Sequence, residues 1–343
     1  DEVVMGCVLP AGLGQAPARQ ASLGAGIPTD AGCTTINKMC GSGMKAVMMA
    51  HDQISAGDVD VMVAGGMENM SQSPYLLPKA REGMRMGHQQ AIDHMFFDGL
   101  EDAYEGGLMG TYAQKSADDY SVTREAMDDF AIGSLEKALK AIETGAFKDE
   151  IAPVTIKSRK GESVVDTDEQ PGNARIDKIR GLKPAFKKDG TVTAANSSSI
   201  SDGGSALVLM RESEAQKRGL TPLARIAAHS THAQLPAEFT IAPIGAVEKV
   251  LKKAGWSKGE VDLYEINEAF AVVTMLAQQE LGLDADKVNV HGGACALGHP
   301  IGSSGSRILV TLLYALKQRG LNKGIASLCI GGGEATAVAV EML

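Results

Sequence analysis

The sequence is poor in aromatic residues and cysteines, and it has no long apolar run. Five cysteines in 343 residues, an odd number, are too few for a disulfide scaffold and fit free thiols in a reducing compartment. No stretch of about 18 apolar residues occurs, which excludes a membrane-spanning helix. Positive charge is in deficit: 33 Lys and Arg stand against 42 Asp and Glu, a net charge of −9 with a pI of about 5.4. The overall basic surface of a nucleic-acid-binding protein is therefore absent. Phe, Trp and Tyr supply 4% of the residues, whereas glycine is abundant, with 40 residues against a usual share of about 7%. Such a chain has many tight turns and close backbone approaches. The 16 methionines fit gap-filling core positions. A hydrophobic fraction of 44% excludes disorder for the bulk of the chain, and the length allows about two or three domains.

What is present alternates. The chain opens on a strand-like run, Val3 to Leu9, with nothing like a signal peptide before it, as expected of a sequence that begins inside a domain. A short helix over 16–25, a strand over 33–37, a helix from Met44 to Ile54 stopped by Gly57, and a strand from Val59 to Ala64 indicate an α/β unit. Residues 70–200 break this rhythm with a long helical pattern at 123–144 and a polar, Lys- and Arg-rich stretch at 150–190, which reads as an inserted lobe. The rhythm returns with strands predicted at 204–210, 223–228, 287–290, 325–330 and 335–341, and helices at 243–254, 267–280 and 304–318. An internal repeat links the halves. Ser42-Gly43-Met44-Lys45, a helix, the strand VMVAGG and Glu68 correspond to Ser304-Gly305-Ser306-Arg307, a helix, the strand ASLCIGGG and Glu334. Two copies of one unit suggest a duplicated α/β domain, with a site where helix N-termini and strand ends meet.

Several residues there could carry chemistry. Cys40, in NKMCGSG, falls at a strand-to-helix turn, where free N–H groups and the helix dipole favour a thiolate; a small buried cysteine in a tight turn would look the same. His299, in a glycine-rich loop opening a helix, could be the base for a thiol or a hydrogen-bonded structural group. Cys329, at a strand end before three glycines, could be an acid or base, or a core residue. Asn267 and Glu268, read as a helix start, could be caps, and Asn267 could equally position a water or a carbonyl oxygen. No metal site is expected: there is no CxxC pair, and His229 and His232 lack partners at zinc spacing.

Seven motifs in order then resemble the thiolase family across nearly the whole chain: VMGCVLPAGLGQAPARQ (4–20), NKMCGSGMKA (37–46), VAGGMENMS (63–71), LKPAFKKDGTVTAANSSSISDGG (182–204), YEINEAF (264–270), GGACALGHPIGSSGSR (292–307) and CIGGGEATA (329–337). The resemblance implies two similar layered α/β domains, the first at 1–69 plus 199–220 and the second at 221–343, with a CoA-binding loop domain at 70–198 inserted in the first. It also implies an opening strand and helix before Asp1, that strand being central in the first sheet. By the same resemblance Cys40 is the acylated nucleophile, His299 takes its proton, and Cys329 moves the proton on the acetyl α-carbon. Asn267 holds a water that forms one oxyanion site with His299, and the backbone N–H groups of Cys40 and Gly331 form the other. Ser198, Phe270, Met109 and Phe239 fall on substrate or CoA contacts.

The expected activity is an acetyl-CoA C-acetyltransferase working by an acyl-Cys40 ping-pong scheme, with CoA and acyl-CoA as substrates and no further cofactor. Longer-chain 3-ketoacyl-CoA thiolysis and a catalytically impaired acyl-CoA-binding protein are the alternatives; a ketoacyl synthase is disfavoured because it has no second thiol at a strand end like that of Cys329. The basic lobe at 150–190, which includes Lys157, Arg159, Arg175 and Lys183, is either a local positive surface for phosphates on an acidic protein or simply a solvated polar loop. Neither nucleic acid nor membrane is an expected partner. A homodimer or homotetramer in the cytoplasm is expected. Three positions depart from the family pattern. Leu108 precedes Met109-Gly110 where many short-chain members have His, Ala335 stands at a glycine position, and Gly172 replaces a loop-domain arginine, with Arg175 nearby.

Overall fold

Apolar runs bounded by glycine or proline become strands, and the amphipathic runs between them become helices. The computed structural model describes residues 1–343. Its strands are β1 (Glu2–Gly6), β2 (Gly32–Ile36), β3 (Val61–Asn69), β4 (Tyr75–Leu76), β5 (Ile92–Asp93), β6 (Val154–Ser158), β7 (Gly161–Val165), β8 (Asp202–Met210), β9 (Ala224–Ala233), β10 (Leu263–Ile266), β11 (Lys323–Ile330) and β12 (Glu334–Met342). Its α-helices are α1 (Pro17–Gly24), α2 (Ser42–Ala56), α3 (Met109–Asp119), α4 (Arg124–Glu143), α5 (Glu169–Asn173), α6 (Ile176–Ile179), α7 (Glu212–Lys217), α8 (Ala242–Ala254), α9 (Ala271–Leu281), α10 (Ala294–Leu297) and α11 (Ser304–Arg319). No helix is long and apolar enough to cross a membrane.

Two four-stranded sheets result, in the orders β2-β1-β3-β8 and β10-β11-β12-β9. β1 lies parallel to both β2 and β3, and its Val3, Val4 and Met5 are buried. A continuous apolar run is what a parallel strand covered on both faces requires. β8 and β12 return antiparallel beside β3 and β11. Residues 70–198 contribute α3 to α6 and two small hairpins, β4–β5 and β6–β7, to neither sheet.

Helices α2 and α11 lie together between the sheets and share one core, in which Met44, Val47 and Met62 of the first half meet Ile308, Leu312 and Leu328 of the second. Their first turns touch reciprocally. A Cβ on Gly43 would lie 2.5 Å from Ser306 Oγ, and one on Gly305 would lie 2.5 Å from the Met44 nitrogen. The repeat read from Ser42-Gly43 and Ser304-Gly305 is therefore an internal pseudo-dyad held by two glycines. A still closer contact joins the sheet to the loop carrying His299, where a Cβ on Gly66 would stand 2.0 Å from the Gly302 carbonyl oxygen. Gly66→Ala is expected to destabilise the fold by about 3 kcal/mol or more, because both partners are backbone and neither can turn aside. A thermal melt checks this, and an unchanged melting temperature would contradict the packing.

Four expectations are corrected. Residues 287–290 are not a strand: Asn289 has φ +47°, and its side chain accepts from the Ile266 N–H and donates to the Ile266 carbonyl, both at 2.8 Å, so a side chain rather than a main chain flanks β10. The helix expected from 267 starts at Ala271 with Phe270 as its cap, which leaves Asn267 and Glu268 on the loop after β10. The repeat breaks at its glycines. Gly65 and Gly66 stay inside β3, which runs on through Glu68, while Gly331 to Gly333 form the turn into β12, so Glu68 and Glu334 are not equivalent. The first sheet has no central gap, because β1 is hydrogen-bonded on both sides. In the second sheet the corresponding first strand, β9, joins at the outer edge of β12, and the matching edge of β8 is open. An apolar groove of about 880 Å³ runs beside that open edge, lined in part by Val47, Ile54, Val208, Leu223 and Leu313.

Candidate active site

The ends of four segments converge where α2 and α11 begin. β2 delivers Cys40 through the turn Asn37 to Gly41, in which Met39 takes φ +47°. The Pro300-containing loop before α11 delivers His299, the C-terminal end of β11 delivers Cys329, and the loop after β10 delivers Asn267. Cys40, His299, Cys329, Gly331 and Ser198 line one cavity of about 260 Å³, together with Met109, Phe239 and Phe270. Asn267 is buried beside that cavity, its Nδ2 3.4 Å from His299 Nδ1.

The apolar wall has a local cause. Phe270 meets Phe239 and Phe186 edge-on, with ring centroids 6.4 and 6.3 Å apart. Met109 sits in the first turn of α3, and Leu108 just before it also faces the cavity. Ser198 is fixed by two hydrogen bonds to the Ala269 carbonyl, from its N–H at 3.0 Å and its Oγ at 2.9 Å.

Burial decides the resting charges. The Cys40 thiol is pushed up to about 11, against the pull of the N–H groups of Gly331 and of Cys40 itself, which face the sulfur. The thiolate expected from the helix N-terminus is therefore not the resting form, because desolvation of the sulfur outweighs the local dipoles. Cys329 is raised well above the ordinary thiol range by burial and then by the neighbouring Cys40. His299 is lowered to about 3 by burial and by the charge of Arg307, so it is neutral at pH 7. Two neutral thiols and a neutral imidazole thus share one pocket.

Which nitrogen of His299 is basic follows from a neighbour that sequence reading passed over. Ser304 Oγ lies 2.5 Å from His299 Nδ1 and donates its own proton to the Pro300 carbonyl at 3.0 Å. With that proton committed, Oγ accepts from Nδ1–H, and the lone pair is left on Nε2. Nε2 is buried and has no protein partner, as is Asn267 Oδ1. Ser304→Ala removes the acceptor that holds this tautomer. It is expected to lower kcat about tenfold with little change in KM, since a lost buried hydrogen bond is worth roughly 1–3 kcal/mol. Steady-state kinetics of this variant beside Ser304→Thr, which restores a hydroxyl, tests the assignment.

Two buried carboxylates were also missed as site-builders. Glu68 accepts from the N–H groups of Val8, Leu9 and Gly302 at 3.0, 3.0 and 2.8 Å, which ties β1 and β3 to the His299 loop. Glu268 accepts from Ser134 Oγ, Asn289 Nδ2 and the Cys295 N–H, and so anchors the glycine-rich loop. An acidic residue among apolar and glycine neighbours was the available signal. On the inserted segment Lys157, Arg175, Arg180 and Lys187 are already paired with carboxylates, Arg175 with Asp177. Arg159, Lys160, Lys178, Lys183 and Lys188 make no such pair and carry the remaining positive charge.

Known proteins resemble nearly the whole chain. Residues 1–213 match the family model for the thiolase N-terminal domain, and residues 220–342 match that for the thiolase C-terminal domain. An acetyl-CoA acetyltransferase of Pseudomonas aeruginosa is 51% identical over 340 residues, which span 98% of this chain and 86% of that protein. Acetyl-CoA acetyltransferase 2 of Arabidopsis thaliana is 51% identical over 346 residues, 100% of this chain and 86% of its own length. Among solved structures, the Bacillus anthracis acetyl-CoA acetyltransferase matches with a TM-score of 0.96 at 47% identity, covering 100% of this chain and 87% of its own. A thiolase from Ascaris suum in complex with coenzyme A matches with a TM-score of 0.93 at 43% identity, with the same coverage.

Proposed function

The chain belongs to the thiolase family and has the thiolase fold, and from that premise we propose that it is an acetyl-CoA C-acetyltransferase, joining two acetyl-CoA into acetoacetyl-CoA and CoA and running the reverse thiolysis. The observation that carries the reading is the single cavity that Cys40, Cys329 and His299 line together.

In the thiolysis direction, the Cys40 sulfur attacks the 3-keto carbonyl while its proton passes to His299 Nε2. The N–H groups of Cys40 and Gly331, already directed at the sulfur, receive the oxyanion. The tetrahedral adduct collapses with cleavage of the carbon–carbon bond, which leaves an acyl group on Cys40 and the enolate of acetyl-CoA. The protonated Nε2 now donates to the enolate oxygen beside Asn267, and Cys329 protonates the enolate carbon. An incoming CoA thiol returns a proton to the Cys329 sulfur and attacks the acyl group. Cys40 leaves and recovers its proton from His299. Every group ends in its starting state; the 3-ketoacyl-CoA and CoA are consumed, and acetyl-CoA and acyl-CoA are released.

Peptide mapping by mass spectrometry after brief exposure to acetoacetyl-CoA tests the reading. One acetyl group on Cys40 is expected. No acyl group on any cysteine, with longer 3-ketoacyl-CoA substrates also tried, sinks it. We also propose a homodimer or homotetramer, for which the open outer edge of β2 is the support, and analytical ultracentrifugation is the check. A cytoplasmic site of action is in keeping with five free thiols.

A further inference from the structure

His229, set aside in the sequence for want of partners, finds them across the molecule. We propose that His51, Asp52 and His229 form a site for a transition-metal cation of the zinc type, bridging α2 of the first half to β9 of the second. His229 Nε2 lies 3.0 Å from Asp52 Oδ1, and His51 Nδ1 lies 3.6 Å from the same oxygen. The three donor atoms all fall within 4.8 Å of one another. Donors about 2.0–2.2 Å from a tetrahedral zinc stand roughly 3.3–3.5 Å apart, so side-chain shifts of about 1 Å close the site.

The donor chemistry fits. Two imidazoles and a carboxylate suit zinc, cobalt or nickel better than calcium or magnesium, which prefer oxygen. His51 Nδ1 is buried with no hydrogen-bond partner, an unsatisfied lone pair that a cation would occupy. His229 already turns Nε2 to the Asp52 carboxylate, so a cation would take the place of that hydrogen bond. The two rings meet edge to face with centroids 5.0 Å apart, leaving Asp52, which is exposed, on the side from which water can complete the shell. A neighbouring ammonium, Lys253 Nζ, donates to the His229 carbonyl at 2.9 Å. The site is apart from the chemistry, since His51 lies nine residues beyond Ser42 along α2, about 14 Å from the turn that holds Cys40. A metal here joins the two halves of the molecule.

The test uses the chelator-stripped chain with its cysteines kept reduced. It is titrated with Zn²⁺ against a chromophoric chelator and with Co²⁺ by absorption. One equivalent per chain is expected, with visible cobalt bands that lack thiolate charge transfer and a melting temperature raised by about 3–5 °C at hundredfold excess over Kd. His229→Gln and Asp52→Asn should each weaken binding at least tenfold while melting like the parent in chelator. Failure of the parent chain to bind, binding unchanged in both variants, or cobalt bands of thiolate type would each overturn the proposal. Should one variant not fold, His51→Gln takes its place.

Discussion

A Cys40→Ala variant is expected to lose about 10⁵- to 10⁶-fold in both thiolysis and condensation while retaining its fold and its affinity for CoA, the scale seen when a covalent nucleophile is removed. No neighbouring group can take over. Cys329 is fully buried at the end of β11, and burial holds its thiol well above the ordinary thiol range. The Gly331 and Cys40 N–H groups converge on the Cys40 sulfur, so an acyl group on any other atom would leave its oxyanion without those donors. Stability should change little, because the Cys40 side chain is only partly buried and borders the cavity. Steady-state assays with acetoacetyl-CoA, peptide mapping for the acyl-enzyme and calorimetric titration of CoA separate the effects. A residual rate within a hundredfold of the parent would falsify the covalent scheme.

How far the sequence discloses this site depends on whether the signal is local. The turn around Cys40 is legible because Gly41 and Gly43, following it where a strand gives way to a helix, have few other uses there. The internal repeat is legible because Gly43 and Gly305 press on each other's helices, so both copies need the same small residue. β10 is hidden because its four residues are all buried and too short to show a period. Residues 287–290 mislead because Val288 and Val290 alternate like a strand, whereas Asn289 turns the chain to offer its side chain to Ile266. Ser304 looks like one small residue of a helix start until the Pro300 carbonyl fixes where its proton goes. The protonation of Cys40 was misread for a deeper reason. A helix N-terminus is visible in sequence, but desolvation depends on elements distant in the chain that close over the sulfur. The same holds for Asp52 and His229, which are 177 positions apart and adjacent only because β9 closes the second sheet beside α2.

Cys329→Ala should split the reaction. Acylation of Cys40 by acetyl-CoA, and exchange of free labelled CoA into acetyl-CoA, are expected to persist within about tenfold, while making and breaking the carbon–carbon bond falls by about 10³- to 10⁴-fold, the upper range for loss of one general acid–base group. Thioester exchange needs a nucleophile, a base and an oxyanion site, and Cys40, His299 and the two N–H groups supply these without Cys329. Thiolysis also releases an enolate whose carbon must be protonated before it can return to the acyl group, and the buried Cys329 thiol lining this cavity is the acid at hand. Its high pKa suits that task. A stronger acid would already be ionised at rest and would place a negative charge beside Cys40, raising the cost of the first attack. If exchange and carbon–carbon chemistry instead fell together, Cys329 would be acting only by positioning Cys40. The ratio of the two rates therefore distinguishes a proton donor from a packing group, because packing supports every step that passes through Cys40, whereas the proton is needed in only one.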